Sequence, residues 1–117
     1  MTRSPQPAPS VNEDDVVRIV RRDFPAAFDE VMALIAPVEV REKPRVVLGC
    51  LKIANGDLDR LRRELGDASG YYREILGEAE YPLYTKKWFR IDRLSDGEIQ
   101  AIIDQDWKQY SEWLQRT

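Results

Sequence analysis

The chain has 117 residues, 33% of them charged, and its 18 basic and 21 acidic side chains leave a net charge of −3. That length suits one domain with a modest core, and the charge argues against a dedicated nucleic-acid binder, which is typically strongly basic. The sequence has no histidine and one cysteine, Cys50, which excludes serine–histidine and cysteine–histidine catalysis, Cys/His zinc sites and an internal disulfide. No apolar segment is long enough to cross a membrane and no secretory signal is visible, so we expect a cytoplasmic protein.

The first ten residues hold three prolines between polar residues, a composition typical of disorder. We therefore assign residues 1–10 to a disordered tail and residues 11–117 to a single helical domain. The first helix is predicted from Val11 or Asn12 to the residue before Pro25, because apolar residues recur on one face and arginines on the other. The apolar residues are Val16, Ile19, Val20 and Phe24, and the arginines, expected to be solvated, are Arg18, Arg21 and Arg22.

Prolines delimit the second helix, which is predicted to begin at Pro25 and to end at Pro37. Residues 38–43 are predicted to form a loop. The third helix, residues 45–54, is apolar on nearly all sides, which indicates a buried central helix. An Asn-Gly pair follows it, a favoured place for a helix to end.

Two further helices are predicted before residue 80. Asp57 caps the fourth helix, its leucines recur at helical spacing, and Gly66 ends it. The fifth helix begins at Asp67 or Ser69. Its predicted inward-facing residues are Tyr72, Ile75, Leu76 and Ala79.

The stretch EYPLYTKKWFRIDRL, residues 80–94, has no helical period and is predicted to be an irregular connection. Aromatic rings alternate with cations along it, and the candidate partner-binding residues are Tyr81, Tyr84, Lys86, Lys87, Trp88 and Arg90. The simplest interpretation is that the rings anchor the connection in the core while the cations stay in water. A protein-binding hot spot is a second interpretation, and a surface that stacks bases is a third.

The sixth helix has a clear start, because Ser95 and Glu98 form the pattern of a capping box and Leu94 precedes it as a hydrophobic staple. It is predicted to run to about Leu114. Its apolar and aromatic residues cover an arc of roughly 140° at the helical 100° per residue, and Asp106 falls inside that arc.

A carboxylate within an apolar arc needs hydrogen-bond donors. For Asp106 these are an arginine, a tyrosine hydroxyl, an indole N–H, or free backbone N–H groups at a helix start. We favour a buried structural acceptor that orders residues 80–94 against the sixth helix, with Tyr110 as a second buried polar residue. The alternatives are a catalytic or ligand-binding carboxylate with a raised pKa, or a solvent-exposed group.

The fold expected from these patterns is all-α, a compact single-domain bundle of five or six short helices. The segment IANGDLDRL lacks the order of ligands in a calcium-binding loop. No metal site, catalytic residue or cofactor is predicted.

Three stretches together, RVVLGCLKIANGDLDRLRREL, YYREILGEAEYP and AIIDQDWKQYSEWL, resemble a family of small all-α bacterial proteins of unknown function. The resemblance covers residues 45–114. It implies a bacterial source and a contact between the AEYP corner and the DW..Y..WL helix. It implies no substrate, cofactor or catalytic residue.

The leading functional hypothesis is a non-catalytic adaptor or regulatory domain that binds a protein partner or self-associates. Residues 86–93 carry four basic and one acidic side chain, whereas residues 95–116 carry five acidic and two basic ones, a layout that favours a charged partner. The second hypothesis is a small-ligand binder or carboxylate-based enzyme around Asp106. The third, less expected, is a weak nucleic-acid binder that uses residues 86–93.

Overall fold

The computed structural model describes residues 9–117, and in that part of the chain all regular structure is helical. The α-helices are α1 (Glu13–Asp23), α2 (Phe28–Ile35), α3 (Lys43–Ala54), α4 (Leu58–Glu80), α5 (Pro82–Lys86) and α6 (Asp96–Gln115). Two 3-10 segments, Pro25–Ala27 and Trp88–Arg93, complete the order. The predicted all-α bundle is therefore confirmed, whereas residues 1–8 of the predicted tail lie outside the described residues. None of the described helices is long and apolar enough to cross a membrane.

The first helix forms as its sequence pattern indicates. Asn12 Oδ1 accepts a hydrogen bond from the Asp15 N–H at 3.2 Å, and Asp15 Oδ2 accepts one from the Asn12 N–H at 3.0 Å. This reciprocal capping box satisfies two N–H groups at the start of α1. The predicted inner-face residues Val16, Ile19, Val20 and Phe24 are all buried.

Two arginines of α1 have a role that their position on the polar face did not indicate. Arg18 donates from Nη1 to the Leu114 carbonyl oxygen at 2.7 Å. Arg22 Nη1 donates to the carbonyl oxygens of Trp113 and Arg116, each at 2.7 Å. The last carbonyl groups of a helix lack partners within it, so these two side chains from α1 cap the C-terminal end of α6.

The third helix is central, as predicted, because residues 46–51 are buried without interruption. Its close contact with α4 depends on Gly49, where a Cβ atom would lie 3.1 Å from Ile75 Cγ2. The helix ends at Asn55 and Gly56, whose φ angles of 49° and 84° lie in the left-handed region. Only glycine, and to a lesser degree asparagine, adopts that conformation readily.

The predicted helix end at Gly66 is wrong, because α4, 23 residues long in all, continues past Gly66 and bends only at Tyr71. Its apolar stripe runs without a phase change through Leu61, Leu65, Ala68, Ile75, Leu76 and Ala79, all buried. Only Tyr71 departs from helical geometry, at φ −128° and ψ 31°, and kinks the helix. A glycine within a helix costs only about 1 kcal/mol relative to alanine, and burial of the continuous stripe outweighs that cost.

The irregular connection predicted for residues 80–94 is also wrong, since α5 and the second 3-10 segment occupy most of it. We call residues 81–94 the corner. Each of its two helical pieces is five or six residues long. Helices this short are unstable alone and too short to display an apolar period, so their stability depends on contacts with the rest of the chain.

The buried apolar residues form two clusters. The larger, which we call the main core, joins α1, α2, α3 and α4 with the C-terminal half of α6, including Tyr110 and Trp113. The smaller, which we call the corner cluster, consists of Tyr84, Ile91, Ile99 and Ile102. Helix α6 therefore spans both clusters and connects the corner to the main core.

Candidate functional site

Asp106 lies between the two clusters, with 1% of its surface exposed. Its Oδ1 accepts a hydrogen bond from the Leu83 N–H and its Oδ2 accepts one from the Tyr84 N–H, both at 3.0 Å. Both donors belong to the first turn of α5, where N–H groups have no partner within the helix. Among the donors considered from sequence, the structure thus selects backbone N–H groups at a helix start.

Burial raises the pKa of the Asp106 carboxyl, while its two backbone hydrogen bonds and the nearby Lys52 ammonium act against that rise. Lys52 is half-buried on α3, and burial lowers the pKa of its ammonium group, an effect that Asp106 opposes. Both oxygens of the carboxylate are engaged by main-chain donors. This closed arrangement favours a structural role for Asp106 and counts against the hypothesis of a reactive or ligand-binding carboxylate.

Gln109, one turn further along α6, contacts the end of α4, just before the α5 residues that Asp106 binds. Its Nε2 donates to the carbonyl oxygens of Ala79 and Glu80, each at 3.3 Å. These are among the last carbonyl groups of α4, so one face of α6 caps the end of α4 and the start of α5. The sequence indicated that Asp106 would contact residues 80–94, whereas the contacts of Gln109 were not predicted.

Glu80 is a second buried carboxylate, and the sequence analysis did not identify it. The Arg45 guanidinium donates two parallel hydrogen bonds to it, from Nε to Oε2 at 2.8 Å and from Nη2 to Oε1 at 2.7 Å. Only 5% of the Glu80 side chain is exposed. The pKa of Arg45 is raised, chiefly by its hydrogen bond to Glu80. The pair ties the start of α3 to the end of α4.

Tyr110 is buried, as its position in the apolar arc indicated, with 1% of its surface exposed. Its ring packs between Trp107 and Trp113, with centroid distances of 6.4 and 5.6 Å. Within the described part of the chain, its hydroxyl group has no hydrogen-bond partner, and burial raises its pKa. Leaving a buried hydroxyl unsatisfied costs about 1–3 kcal/mol, so Tyr110 contributes to stability through its ring.

The six candidate partner-binding residues of the corner differ in how far they are buried. Tyr84 is 2% exposed and Tyr81 is half-buried, so Tyr84 offers no surface to a partner and we withdraw it from that set. Lys86, Trp88 and Arg90 are exposed and Lys87 is half-buried. Some rings of the corner therefore anchor it, as the simplest interpretation predicted, while others face solvent.

Trp88 and Phe89 are the exposed rings of the corner, with 45% and 79% of their surfaces accessible. The Trp88 ring leans against the buried Tyr84 ring at a centroid distance of 5.8 Å, and the Arg90 guanidinium lies 5.6 Å from the centre of the Phe89 ring. Phe89 was not among the candidate residues, although it is the most exposed large apolar side chain described. A six-residue 3-10 segment holds both rings.

A groove with a volume of about 480 Å³ runs beside these rings. We call the groove together with the exposed cations Lys86, Arg90 and Arg93 the aromatic surface. The groove is lined by Trp88, Phe89, Ile91, Asp92, Leu94, Asp96 and Ile99. Its lining combines the two rings and three aliphatic side chains with the acidic residues Asp92 and Asp96, whose charge is opposite to that of the cations.

Comparisons with protein-family models, with curated proteins and with solved structures found no match to this chain. Among residues 9–117, no group of three or more His, Cys, Asp or Glu side chains has an arrangement that could hold a metal ion.

Proposed function

We propose that this chain is a non-catalytic protein-binding domain, an adaptor or regulator of the bacterial cytoplasm, and that the aromatic surface is where it binds its partner. The observation that carries the proposal is the exposure of Trp88 and Phe89 side by side on a short, anchored segment. Tryptophan and arginine are enriched among the residues that dominate binding energy at protein interfaces. Adjacent exposed rings are also unfavourable in water unless a partner covers them.

The charges around the groove favour an acidic partner segment that carries an apolar residue. Lys86, Arg90 and Arg93 are all exposed in the same segment, and the Arg90 guanidinium lies 5.6 Å from the centre of the Phe89 ring. Asp92 and Asp96 line the groove itself. A partner with carboxylates facing the cations, and none facing this acidic edge, would be held in one orientation, since like charges brought together at an interface are costly.

Anchoring of the corner supports the same proposal. Asp106 and Gln109 fix α5 and the end of α4 to α6 through main-chain groups. The exposed rings therefore belong to a segment that is already folded in the unbound chain. Preorganisation of this kind lowers the entropy cost of binding.

The resemblance to small all-α bacterial proteins is the basis of a further proposal, about the family of this chain. It implied that the AEYP corner contacts the DW..Y..WL helix, and Gln109 of that helix donates hydrogen bonds to the carbonyl oxygens of Ala79 and Glu80 in the AEYP stretch. We propose that the chain belongs with those proteins and shares their bacterial source. That contact supports the proposal.

Selection of displayed random peptides on the purified chain tests the proposed function. We expect the enriched peptides to be acidic, to carry an aromatic or large aliphatic residue, and to bind more weakly as salt increases. The test variant combines Arg90→Glu with Arg93→Glu and should lose about tenfold or more in affinity for them. The matched control combines Arg41→Glu with Arg63→Glu, two arginines exposed elsewhere, and should retain affinity.

The proposed function is rejected if the enriched peptides show no acidic preference, or if they bind the Arg90 and Arg93 variant as well as they bind the unchanged chain. A filter-binding assay with RNA and DNA at low salt is run on the same proteins. Retention of nucleic acid that the Arg90 and Arg93 variant abolishes and the control keeps would favour the nucleic-acid hypothesis instead.

A further inference from the structure

A second concave site lies away from the corner, between α1, α2 and α3. It is a pocket of about 180 Å³ whose walls are mainly apolar. An apolar cavity of about 150 Å³ takes up benzene, whereas sites for drug-sized ligands begin near 300 Å³. The pocket is therefore large enough for one small apolar group, such as an aliphatic side chain. Its apolar wall residues are Val16, Val17, Met32, Ile35 and Val47.

Two oppositely charged side chains stand among the lining residues. Lys43, the first residue of α3, donates from Nζ to the Ala36 carbonyl oxygen at 3.0 Å, which holds the ammonium beside the pocket and leaves two of its three N–H groups for another acceptor. Glu13, the first residue of α1, also lines the pocket. Its carboxylate provides only acceptors when ionised.

We propose that this pocket binds a free α-amino acid with an aliphatic side chain. The side chain enters the apolar cavity, the ligand carboxylate pairs with Lys43, and the ligand ammonium pairs with Glu13. A simple aliphatic carboxylate would pair with Lys43 but would bring its negative charge towards the Glu13 carboxylate. An alkylamine would pair with Glu13 but would bring its positive charge towards the Lys43 ammonium. Met32 in the wall is flexible and polarisable, so it can adapt to side chains of slightly different shape.

The proposal is independent of the aromatic surface and is tested by calorimetry on the full chain with four compounds. Leucine carries every feature, isocaproate lacks the ammonium group, isoamylamine lacks the carboxylate, and glycine lacks the side chain. We expect leucine to bind with a dissociation constant of about 1 mM or below, and each analogue to bind at least tenfold more weakly. No binding of leucine at about 10 mM, or equal binding of leucine and isocaproate, would overturn the proposal.

Two variants distinguish recognition of the charges from a general effect on the fold. Lys43→Met keeps the aliphatic stem and should weaken leucine about tenfold while leaving isoamylamine unaffected. Glu13→Gln should weaken leucine but bring isocaproate to parity with it, because the repulsive charge is gone. Lys108→Met, at a lysine whose side chain is 76% exposed on α6, is the matched control and should change nothing.

If Lys43 and Glu13 had only a structural role, their substitution would change the affinity for all four compounds together. The proposal is therefore overturned if either pocket variant lowers the affinity for every compound equally. It is likewise overturned if Lys108→Met reduces leucine binding as much as Lys43→Met does. Circular dichroism of each variant before titration ensures that only folded protein is compared.

Discussion

In the main core, α1, α3 and α4 meet through apolar side chains that are almost completely buried. The corner has a cluster of four buried residues and depends on hydrogen bonds that its N–H groups donate to Asp106 of α6. Burial of apolar area is non-directional, so the main core is specified by which helix faces are apolar. Main-chain hydrogen bonds are directional, so the corner is specified by where two polar side chains of one helix point.

The two regions should therefore respond differently to substitution. Loss of apolar volume in the main core should destabilise the whole chain. Loss of a hydrogen-bond acceptor at the corner should release mainly the corner, because its helices are short and its buried cluster has four residues. Pairs of substitutions test this difference in response. Each pair compares either the main core with the corner, or a buried residue with an exposed residue of the same helix.

The largest effect is expected from Leu48→Ala in α3. Leu48 has no exposed surface and lies in the most buried helix. Large-to-small changes at such sites cost about 3–5 kcal/mol in the free energy of unfolding. Ile102→Ala in the corner cluster, where 8% of the residue is exposed, should cost less, about 2 kcal/mol. Urea denaturation measures both, and equal losses would mean that the corner is as strongly packed as the main core.

Asp106→Ala should follow, with a loss of about 2–4 kcal/mol, because the Leu83 and Tyr84 N–H groups are left without their acceptor. The matched control is Asp104→Ala on the same helix, whose exposed carboxylate accepts a hydrogen bond from Gln100. That change should stay within about 0.5 kcal/mol. If Asp106→Ala left stability unchanged or raised it, a functional role for Asp106 would regain support.

Cys50 shows which region opens in the Asp106 variant. It is fully buried in α3, and burial raises the pKa of its thiol to about 12, so it should react with alkylating reagents only when the main core opens. If Asp106→Ala releases the corner alone, the labelling rate should hardly change while amide exchange in residues 81–94 accelerates. Labelling that accelerates in proportion to the lost stability would instead mean that the two regions unfold as one unit.

The main core could be predicted from the sequence because its information is local. Val16, Ile19, Val20 and Phe24 repeat at helical spacing, and the Ser95–Glu98 capping box, observed with both bonds at 3.1 Å, is contained in four residues. The inward direction of Asp106 was visible for the same reason. These features need only the geometry of one helix.

The corner could not be predicted in the same way, because its stability comes from residues distant in sequence. Asp106 contacts N–H groups 22 and 23 positions earlier, and Glu80 pairs with Arg45 at a separation of 35. Neither partner has a spacing rule that a single sequence reveals. The false end at Gly66 has a different origin, since a glycine followed by aspartate matches the pattern of one helix ending and another beginning.

Tyr110→Phe should have a small effect of the opposite sign. It removes a hydroxyl group that has no partner within residues 9–117 and keeps the ring that packs against two tryptophans. Stability should stay the same or rise by up to about 1 kcal/mol. A loss of about 1 kcal/mol or more in thermal or urea unfolding would reveal a hydrogen bond to a group that the described residues do not include.

The smallest effect is expected on the aromatic surface, where neighbouring residues of one 3-10 segment differ in burial. Phe89 is 79% exposed and Ile91 is 6% exposed, so Phe89→Ser should change the free energy of unfolding by no more than about 0.5 kcal/mol. Ile91→Ala should cost about 2 kcal/mol, because it removes volume from the corner cluster. If Phe89→Ser were as costly as Ile91→Ala, the ring would be packing in the folded chain, and the aromatic surface would lose its most exposed binding element. If only Ile91→Ala is costly, Phe89 is free to contribute its apolar area to a partner, and loss of peptide binding by the Phe89 variant is then an effect on the interface and not on the fold.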